Sequence, residues 1–166
     1  MKIRLAGVIK DSIVDGPGLR TVIFTQGCYH NCDECHNKHT HDIHGGYLKE
    51  INELAYEIVN ARLQRGITIS GGEPFLQAKE INYLITKVKE LNNKYDIWIY
   101  TGYLIEELLD KSNPNLKINL EILTKADTLV DGRFNKHLKD INLVFKGSSN
   151  QRIINLNEYF NNYKSL

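Results

Sequence analysis

Residues 27–38, GCYHNCDECHNK, contain every cysteine of this 166-residue chain. Cys28, Cys32 and Cys35 follow the spacing C-x3-C-x2-C. Three thiolates so close together can hold one face of a metal centre, but they cannot complete a four-coordinate site by themselves. Iron-sulfur clusters usually have four cysteine ligands, so a cubane held by three cysteines keeps one iron free for another ligand. The spacing therefore favours a centre that performs chemistry over a structural one.

Other centres fit the same three cysteines. A structural zinc site usually pairs two Cys or Cys/His halves across a longer loop, and His36 or His39 could supply a fourth ligand here. A ferredoxin-type electron carrier needs a distant fourth cysteine, which the chain lacks. An odd number of cysteines in so short a run does not form a disulfide framework. On spacing alone, an open iron-sulfur site is the favoured interpretation, and zinc or unmodified thiols are the alternatives.

Length, composition and charge restrict the class of protein. The chain is long enough for a hydrophobic core, and we expect one domain over residues 1–166, with the cysteine loop at 26–38 and a polar C-terminal end at 157–166. A net charge of +1 gives no field that would gather nucleic acid or an anionic membrane. No apolar run approaches a membrane span, and the N-terminus shows no signal-peptide pattern. Free clustered cysteines without such a signal predict a cytoplasmic location.

Predicted strands alternate with predicted helices along the chain. Leu19–Thr25 is an apolar strand that ends directly at the cysteine loop. The other predicted strands are Ile3–Ile9, Ile67–Ser70, Ile97–Tyr100, Thr128–Val130, Asn142–Lys146 and Arg152–Leu156. The predicted helices are Tyr47–Gln64, Ile81–Leu91, Leu104–Asp110 and Leu116–Lys125. This alternation predicts an α/β fold with a parallel sheet. Because a closed eight-fold barrel needs about 250 residues, we expect an open, partial β/α barrel or a related open sheet.

Folds of this kind carry their functional loops at the carboxyl ends of the strands. The loops after Thr25, Ser70 and Tyr100 would therefore meet at one edge of the sheet. The second of them, Ser70-Gly71-Gly72-Glu73-Pro74, has two residues without a Cβ, so a ligand can approach its backbone closely. Taken alone it is an ordinary strand-to-helix turn, with Pro74 suited to the first helical position. Beside the cysteines it becomes a candidate ligand site.

The C-x3-C-x2-C motif resembles that of the radical S-adenosylmethionine enzymes. The resemblance implies one 4Fe-4S cluster, held by Cys28, Cys32 and Cys35, whose fourth iron is chelated by the amino and carboxylate groups of S-adenosylmethionine. It implies reductive cleavage of that cofactor to a 5′-deoxyadenosyl radical by an oxidoreductase. It also implies a single radical S-adenosylmethionine domain, an open partial (β/α) barrel with mostly parallel strands. Many members place an aromatic residue just before the third cysteine, where this chain has Glu34.

The same resemblance suggests which residues contact the cofactor. The turn Gly71-Gly72-Glu73 matches the motif that meets the methionyl ammonium, and a carboxylate suits that charge. The expected cofactor contacts are Glu34, Cys35, His36, Ser70, Gly71, Gly72, Glu73 and Asp131. No catalytic side chain is expected beyond the ligands of the cluster and the cofactor. The histidines of residues 30–44 are more simply explained as solvated side chains than as a second metal site, and His36 is the one expected to face the cofactor.

The stretch Asp15-Gly16-Pro17-Gly18-Leu19-Arg20 resembles a narrower group, the activating enzymes of glycyl radical proteins. In that group the loop lies at the mouth of the site, so Asp15 and Arg20 are expected to contact the glycine loop of the partner. Four further stretches resemble members that act on the anaerobic ribonucleoside-triphosphate reductase. They are residues 37–38, 97–103, 129–134 and 147–152.

This likeness implies a particular reaction and particular partners. The chain would install a glycyl radical on the anaerobic ribonucleoside-triphosphate reductase, with reduced flavodoxin or ferredoxin as electron donor and with neither nucleic acid nor membrane as a partner. The alternatives are activation of another glycyl radical enzyme, radical chemistry on a small molecule, and a structural zinc module held by Cys28, Cys32, Cys35 and His36.

Overall fold

The computed structural model describes residues 1–163. Its strands are β1 (Lys2–Ser12), β2 (Arg20–Thr25), β3 (Tyr47–Glu50), β4 (Gly66–Gly71), β5 (Asp96–Tyr100), β6 (Thr128–Asp131) and β7 (Arg152–Asn155). Its α-helices are α1 (Ile51–Val59), α2 (Ala78–Leu91), α3 (Ile105–Leu108), α4 (Leu116–Lys125) and α5 (Leu156–Tyr163). Part of the predicted polar C-terminal end, 157–163, therefore belongs to α5, and residues 164–166 lie outside the described residues.

The strands form one mixed sheet in the order β3-β1-β2-β4-β5-β6-β7. The middle strands β2, β4, β5 and β6 are parallel, whereas β1, β3 and β7 run antiparallel to their neighbours. The predicted α/β class and the parallel centre are confirmed, but the antiparallel strands were not predicted. β1 is antiparallel because only the short turn at residues 13–19 joins it to β2, and a parallel pair would need a long crossover.

Two predicted elements differ in the structure. The helix expected over Tyr47–Gln64 begins only at Ile51, because residues 47–50 form β3 and pair with β1. The strand expected at Asn142–Lys146 is wrong: the segment is a series of turns, and its neighbourhood has one isolated bridge, between Lys139 and Ser148. Its apolar residues attracted the strand prediction, yet Phe145 instead packs edge-on against the Trp98 ring at 5.5 Å.

The sheet buries different kinds of side chain on its two faces. Ile67 and Ile69 belong to the hydrophobic core, with α1, α2, α4 and α5 packed side by side in sequence order over that face. Side chains alternate along a strand, so Thr68 and Trp98 point to the opposite face. The helices therefore leave the carboxyl edge of the parallel strands free for the cysteine loop. None of the helices within residues 1–163 has the length and apolar character needed to cross a bilayer.

Candidate functional site

The cysteine loop leaves the sheet after Thr25 and closes on the segment that follows it. The backbone N–H of Gly27 donates to the carbonyl of Thr40 at 2.7 Å, and that of Cys28 to the carbonyl of His41 at 3.1 Å. Gly27 has a φ of 101°, in the left-handed region that favours glycine. These bonds fix both ends of the loop beside the carboxyl end of β2.

The three cysteines are free, half-buried thiols that line one cavity. The backbone N–H of Cys35 donates to the carbonyl of Cys32 at 3.2 Å, which makes a tight turn between these two residues. Burial raises the pKa of the Cys28 and Cys32 thiols. Metal ligation requires thiolates, so binding of a metal centre here would release protons.

The cavity has a volume of about 130 Å³ and is formed by the loops that follow all four parallel strands. The expected meeting of the loops after Thr25, Ser70 and Tyr100 is confirmed, and the loop after β6 joins them. The lining residues are Cys28, His30, Cys32, Cys35, His41, Ser70, Gly71, Gly72, Tyr100, Thr101, Gly102, Gly132, Phe134 and Gln151.

Glycines let these loops approach one another closely. A Cβ added to Gly72 would overlap the carbonyl oxygen of Gly27, and one added to Gly102 would overlap the ring of His30. The backbone N–H of Gly72 donates to the carbonyl of Thr25 at 2.8 Å. The glycine turn and the cysteine loop therefore pack backbone against backbone, which leaves one wall of the cavity without side chains.

Glu73 lies behind this wall and is almost fully buried, at 1% exposure. One carboxylate oxygen accepts from the backbone N–H of Phe75 at 2.9 Å. The other accepts from the N–H of Gly102 at 2.9 Å and from His30 Nε2 at 2.8 Å. The hydroxyl of Thr101 lies 2.9 Å from both oxygens. The carboxylate is therefore surrounded by donors from the protein itself.

His30 connects Glu73 to the loop after β6. Its Nδ1 accepts from Arg133 Nε at 3.1 Å, and its ring meets the ring of Tyr103 edge-on at 4.5 Å. Because a guanidinium can only donate, Nδ1 carries no proton and Nε2 donates to Glu73. No local pattern in the sequence separates His30 from the other histidines of residues 30–44.

Four of the expected cofactor contacts line the cavity: Cys35, Ser70, Gly71 and Gly72. Glu34 is exposed and adopts a φ of 54°, and His36 is exposed with its ring 5.6 Å from that of Phe134. Neither side chain lines the cavity. Phe134 does, and it was not predicted; its position is set by the turn after β6.

Asp131 is fully buried at the end of β6, outside the cavity lining. One of its oxygens accepts from Arg152 Nε at 2.9 Å, and the other accepts from Arg152 Nη2 and from the backbone N–H of Ile105 at 2.9 Å. In this structure Asp131 joins β6, β7 and α3, and its expected contact with the cofactor stays a prediction.

The loop that contains Asp15 lies at the opposite, amino-terminal edge of the parallel strands, because it precedes β2. Arg20 is fully buried, and its guanidinium pairs with Asp96 at 2.5 Å and donates to the hydroxyl of Thr68 at 2.8 Å. Asp15 is half-buried, and its carbonyl accepts from the same hydroxyl at 2.7 Å. Here the buried Arg20 holds strands together, and its expected contact with the partner stays a prediction.

The residues present fit a cluster at this edge, because three thiols line a cavity whose neighbouring wall is glycine backbone. No group of three or more His, Cys, Asp or Glu side chains within residues 1–163 is arranged to hold a single metal ion. The family model that matches residues 14–154 is described as a 4Fe-4S single cluster domain. The matched range includes the three cysteines and all four loops of the cavity. The match therefore places this chain in the class of proteins with a single 4Fe-4S cluster domain.

Proteins similar in sequence show which family within this class the chain belongs to. Proteins named anaerobic ribonucleoside-triphosphate reductase-activating protein are similar to this chain over most of its length. That of Enterobacteria phage T4 is 36% identical over 145 residues, or 84% of this chain and 86% of the relative. That of Escherichia coli is 33% identical over 150 residues, which are 87% of this chain and 93% of the relative. That of Vibrio cholerae is 34% identical over 147 residues, which are 85% of this chain and 90% of the relative. The chain belongs to the family of anaerobic ribonucleoside-triphosphate reductase-activating proteins, as the sequence motifs predicted.

Proposed function

We propose that this chain uses a 4Fe-4S cluster and S-adenosylmethionine to install a glycyl radical on an anaerobic ribonucleoside-triphosphate reductase. One observation carries the proposal: three half-buried thiols and a glycine turn line the same cavity at the carboxyl edge of the parallel strands. Membership of the activating-protein family supports the reductase as the partner, since the relatives are named for that role.

Cys28, Cys32 and Cys35 are the proposed cluster ligands, because they are the only cysteines of the chain and line one cavity. When bound, the cluster and S-adenosylmethionine supply an electron and a 5′-deoxyadenosyl radical that removes a hydrogen atom from a glycine of the partner. The chain's part is to fix the thiols, to leave space along Gly71 and Gly72, and to shield the cavity with its four loops.

The proposed cofactor contacts fall into two groups. Cys35, Ser70, Gly71 and Gly72 are supported by their position in the cavity lining. Glu34, His36 and Asp131 are proposed from the family resemblance alone. A contact between Asp15 and the partner's glycine loop is proposed on the same ground. The resemblance also implies Glu73, but its carboxylate already accepts from four donors of this chain.

We also propose that the sheet is an open, partial (β/α) barrel of the radical S-adenosylmethionine type and that residues 1–166 form one domain. Four parallel strands with the cavity at their carboxyl ends support this assignment. Within residues 1–163, β3 and β7 end the sheet without pairing to each other, so a glycine loop could reach the cavity from outside. Reduced flavodoxin or ferredoxin is the proposed donor, and a reducing cytoplasm suits three free thiols.

The test begins with anaerobic reconstitution of the chain with iron and sulfide. Addition of dithionite and S-adenosylmethionine should then yield 5′-deoxyadenosine, and addition of the reductase should give the doublet of a glycyl radical in its electron paramagnetic resonance spectrum. The variant in which all three cysteines are serine is the control and should give neither product.

Each other outcome has its own meaning. A colourless preparation loaded with zinc would contradict the proposal and favour a structural module. Formation of 5′-deoxyadenosine without a radical on the reductase would point to another glycyl radical enzyme, and the same assay with that enzyme would identify it.

A further inference from the structure

We propose that Glu73 and His30 are positioning residues that fasten the four loops of the cavity to one another, and that the Glu73 carboxylate is committed to this role rather than to a ligand. The inference rests on the proposed function only in assuming that the cavity binds the cluster and S-adenosylmethionine. The fastening itself involves only groups of this chain.

The first step is that every hydrogen-bond acceptor position of the Glu73 carboxylate is already occupied. An ionised carboxylate has about four lone-pair positions. Phe75 N–H, Thr101 Oγ1, Gly102 N–H and His30 Nε2 donate to its two oxygens at 2.8–2.9 Å. The side chain is 1% exposed, so water does not compete for these positions. A ligand ammonium could reach the carboxylate only by displacing a buried donor, which would then lack a partner.

The second step concerns where these donors come from. His30 belongs to the loop after β2, Glu73 to the loop after β4, and Thr101 and Gly102 to the loop after β5. Through Nδ1 of His30 the same chain of hydrogen bonds reaches Arg133, in the loop after β6. One carboxylate and one imidazole therefore connect the loops that follow all four parallel strands.

The third step concerns the cysteines. His30 lies between Cys28 and Cys32, and its side chain is only 8% exposed. Its ring fills the space next to Gly102, where a Cβ would overlap it, and Arg133 and Glu73 hold its two nitrogens from opposite directions. A ring held in this way fixes the middle of the cysteine loop. The positions of the two thiols therefore depend on Glu73, which is distant in sequence.

Amide hydrogen exchange of the metal-free protein tests this cross-dependence. Glu73→Gln places an amide NH₂ where His30 or a backbone N–H now donates, so we expect exchange within residues 28–35 to become about tenfold faster or more. His30→Ala should accelerate exchange at residues 101–103 by a similar factor. The double variant should exchange no faster than the faster single variant, because both changes break one network.

Two further variants control the comparison. His44 is exposed, and His44→Ala should leave exchange in both segments unchanged. His30→Gln keeps a side-chain N–H able to donate to Glu73 and should restore much of the protection that His30→Ala loses. In ¹⁵N-histidine spectra the wild type should show one ring with a slowly exchanging Nε2 proton, and Glu73→Gln should abolish that signal. The wild-type spectrum alone tests the hydrogen bond from His30 to Glu73 even if a variant does not fold, and absence of the slowly exchanging proton there would contradict the proposal.

Affinity for S-adenosylmethionine in the reconstituted protein gives an independent comparison. Fastening predicts that His30→Ala weakens binding at least as much as Glu73→Gln does. The proposal is overturned if Glu73→Gln weakens binding tenfold or more while His30→Ala has no effect and exchange in the metal-free variants stays at the wild-type rate. Failure of the wild type to form 5′-deoxyadenosine would refute the proposed function and leave the exchange result standing.

Discussion

The two ends of the parallel strands each contain a buried charge with a complete set of partners. At the amino ends, the Arg20 guanidinium pairs with Asp96 and donates to the Thr68 hydroxyl. At the carboxyl ends, the Glu73 carboxylate accepts from His30 and from the loop after β5. Arg20 joins strands to one another, whereas Glu73 joins loops around a cavity. The same device thus stabilises the sheet at one end and shapes a site at the other.

The largest effect should come from removing a proposed cluster ligand at the carboxyl end. We expect Cys28→Ser to reduce bound iron to a trace and 5′-deoxyadenosine formation to background, because the cluster would have only two cysteine ligands. Since Cys28 is half-buried and forms no disulfide, the free energy of unfolding of the metal-free protein should change by less than about 1 kcal/mol. Iron analysis and urea unfolding measure the two effects, and full iron loading of the variant would contradict the assignment.

Removing the buried charge at the amino end should have the opposite result, a loss of stability without a loss of iron binding. Arg20→Met leaves the Asp96 carboxylate without its buried partner, so we expect a loss of about 3 kcal/mol in the free energy of unfolding, with iron binding retained. Arg62 is exposed, and Arg62→Met is the matched control, expected within about 0.5 kcal/mol of the wild type. If Arg20→Met left stability unchanged and abolished activation of the reductase, direct contact with the partner would be the better explanation.

Two glycines, Gly66 at the start of β4 and Gly72 directly after its last residue, sharpen the comparison between the two ends of one strand. An added Cβ would overlap the carbonyl oxygen of Asp96 at Gly66 and that of Gly27 at Gly72. Gly66→Ala and Gly72→Ala should each cost about 1–3 kcal/mol in urea unfolding, but only Gly72→Ala should also reduce bound iron, because it displaces the cysteine loop. Gly7→Ala is the control, since its Cβ would meet nothing within 4 Å. Equal iron loss in the two variants would refute the separation of roles.

The smallest effect should come from an exposed contact of the cysteine loop. Lys136 pairs with Asp33 at 3.3 Å, but the Asp33 side chain is 79% exposed. Lys136→Ala should therefore change the free energy of unfolding by less than about 0.5 kcal/mol, and the change should vanish in high salt. A loss as large as that of Arg20→Met would show that the comparison between buried and exposed contacts is wrong.

The strands at the centre of the sheet could be predicted because they are short apolar runs that end at turn residues. Ile67–Ser70 and Ile97–Tyr100 are of this kind, and both lie within observed strands. β3 could not be predicted, since Tyr47–Glu50 is compatible with a helix and becomes a strand only by pairing with β1. Long-range pairing overrides local preference at such an edge.

The site divides in the same way. The cysteines and the glycine turn are local motifs, so the sequence identifies them directly. The partners of Glu73 are distant: His30 is 43 residues away and Thr101 is 28, and Arg133 is 103 residues from His30. Nothing in a single sequence couples positions so far apart, and only the strand order brings them together. For this reason the sequence suggested Glu73 as a ligand contact and did not reveal its internal partners.

The hydrophobic core consists of side chains such as Ile23, Ile69 and Leu84 and includes none of the three cysteines. Loss of the inorganic centre would consequently leave the packing of this core unchanged. Repair after exposure to oxygen would then require reduced thiols, iron and sulfide rather than synthesis of a new chain.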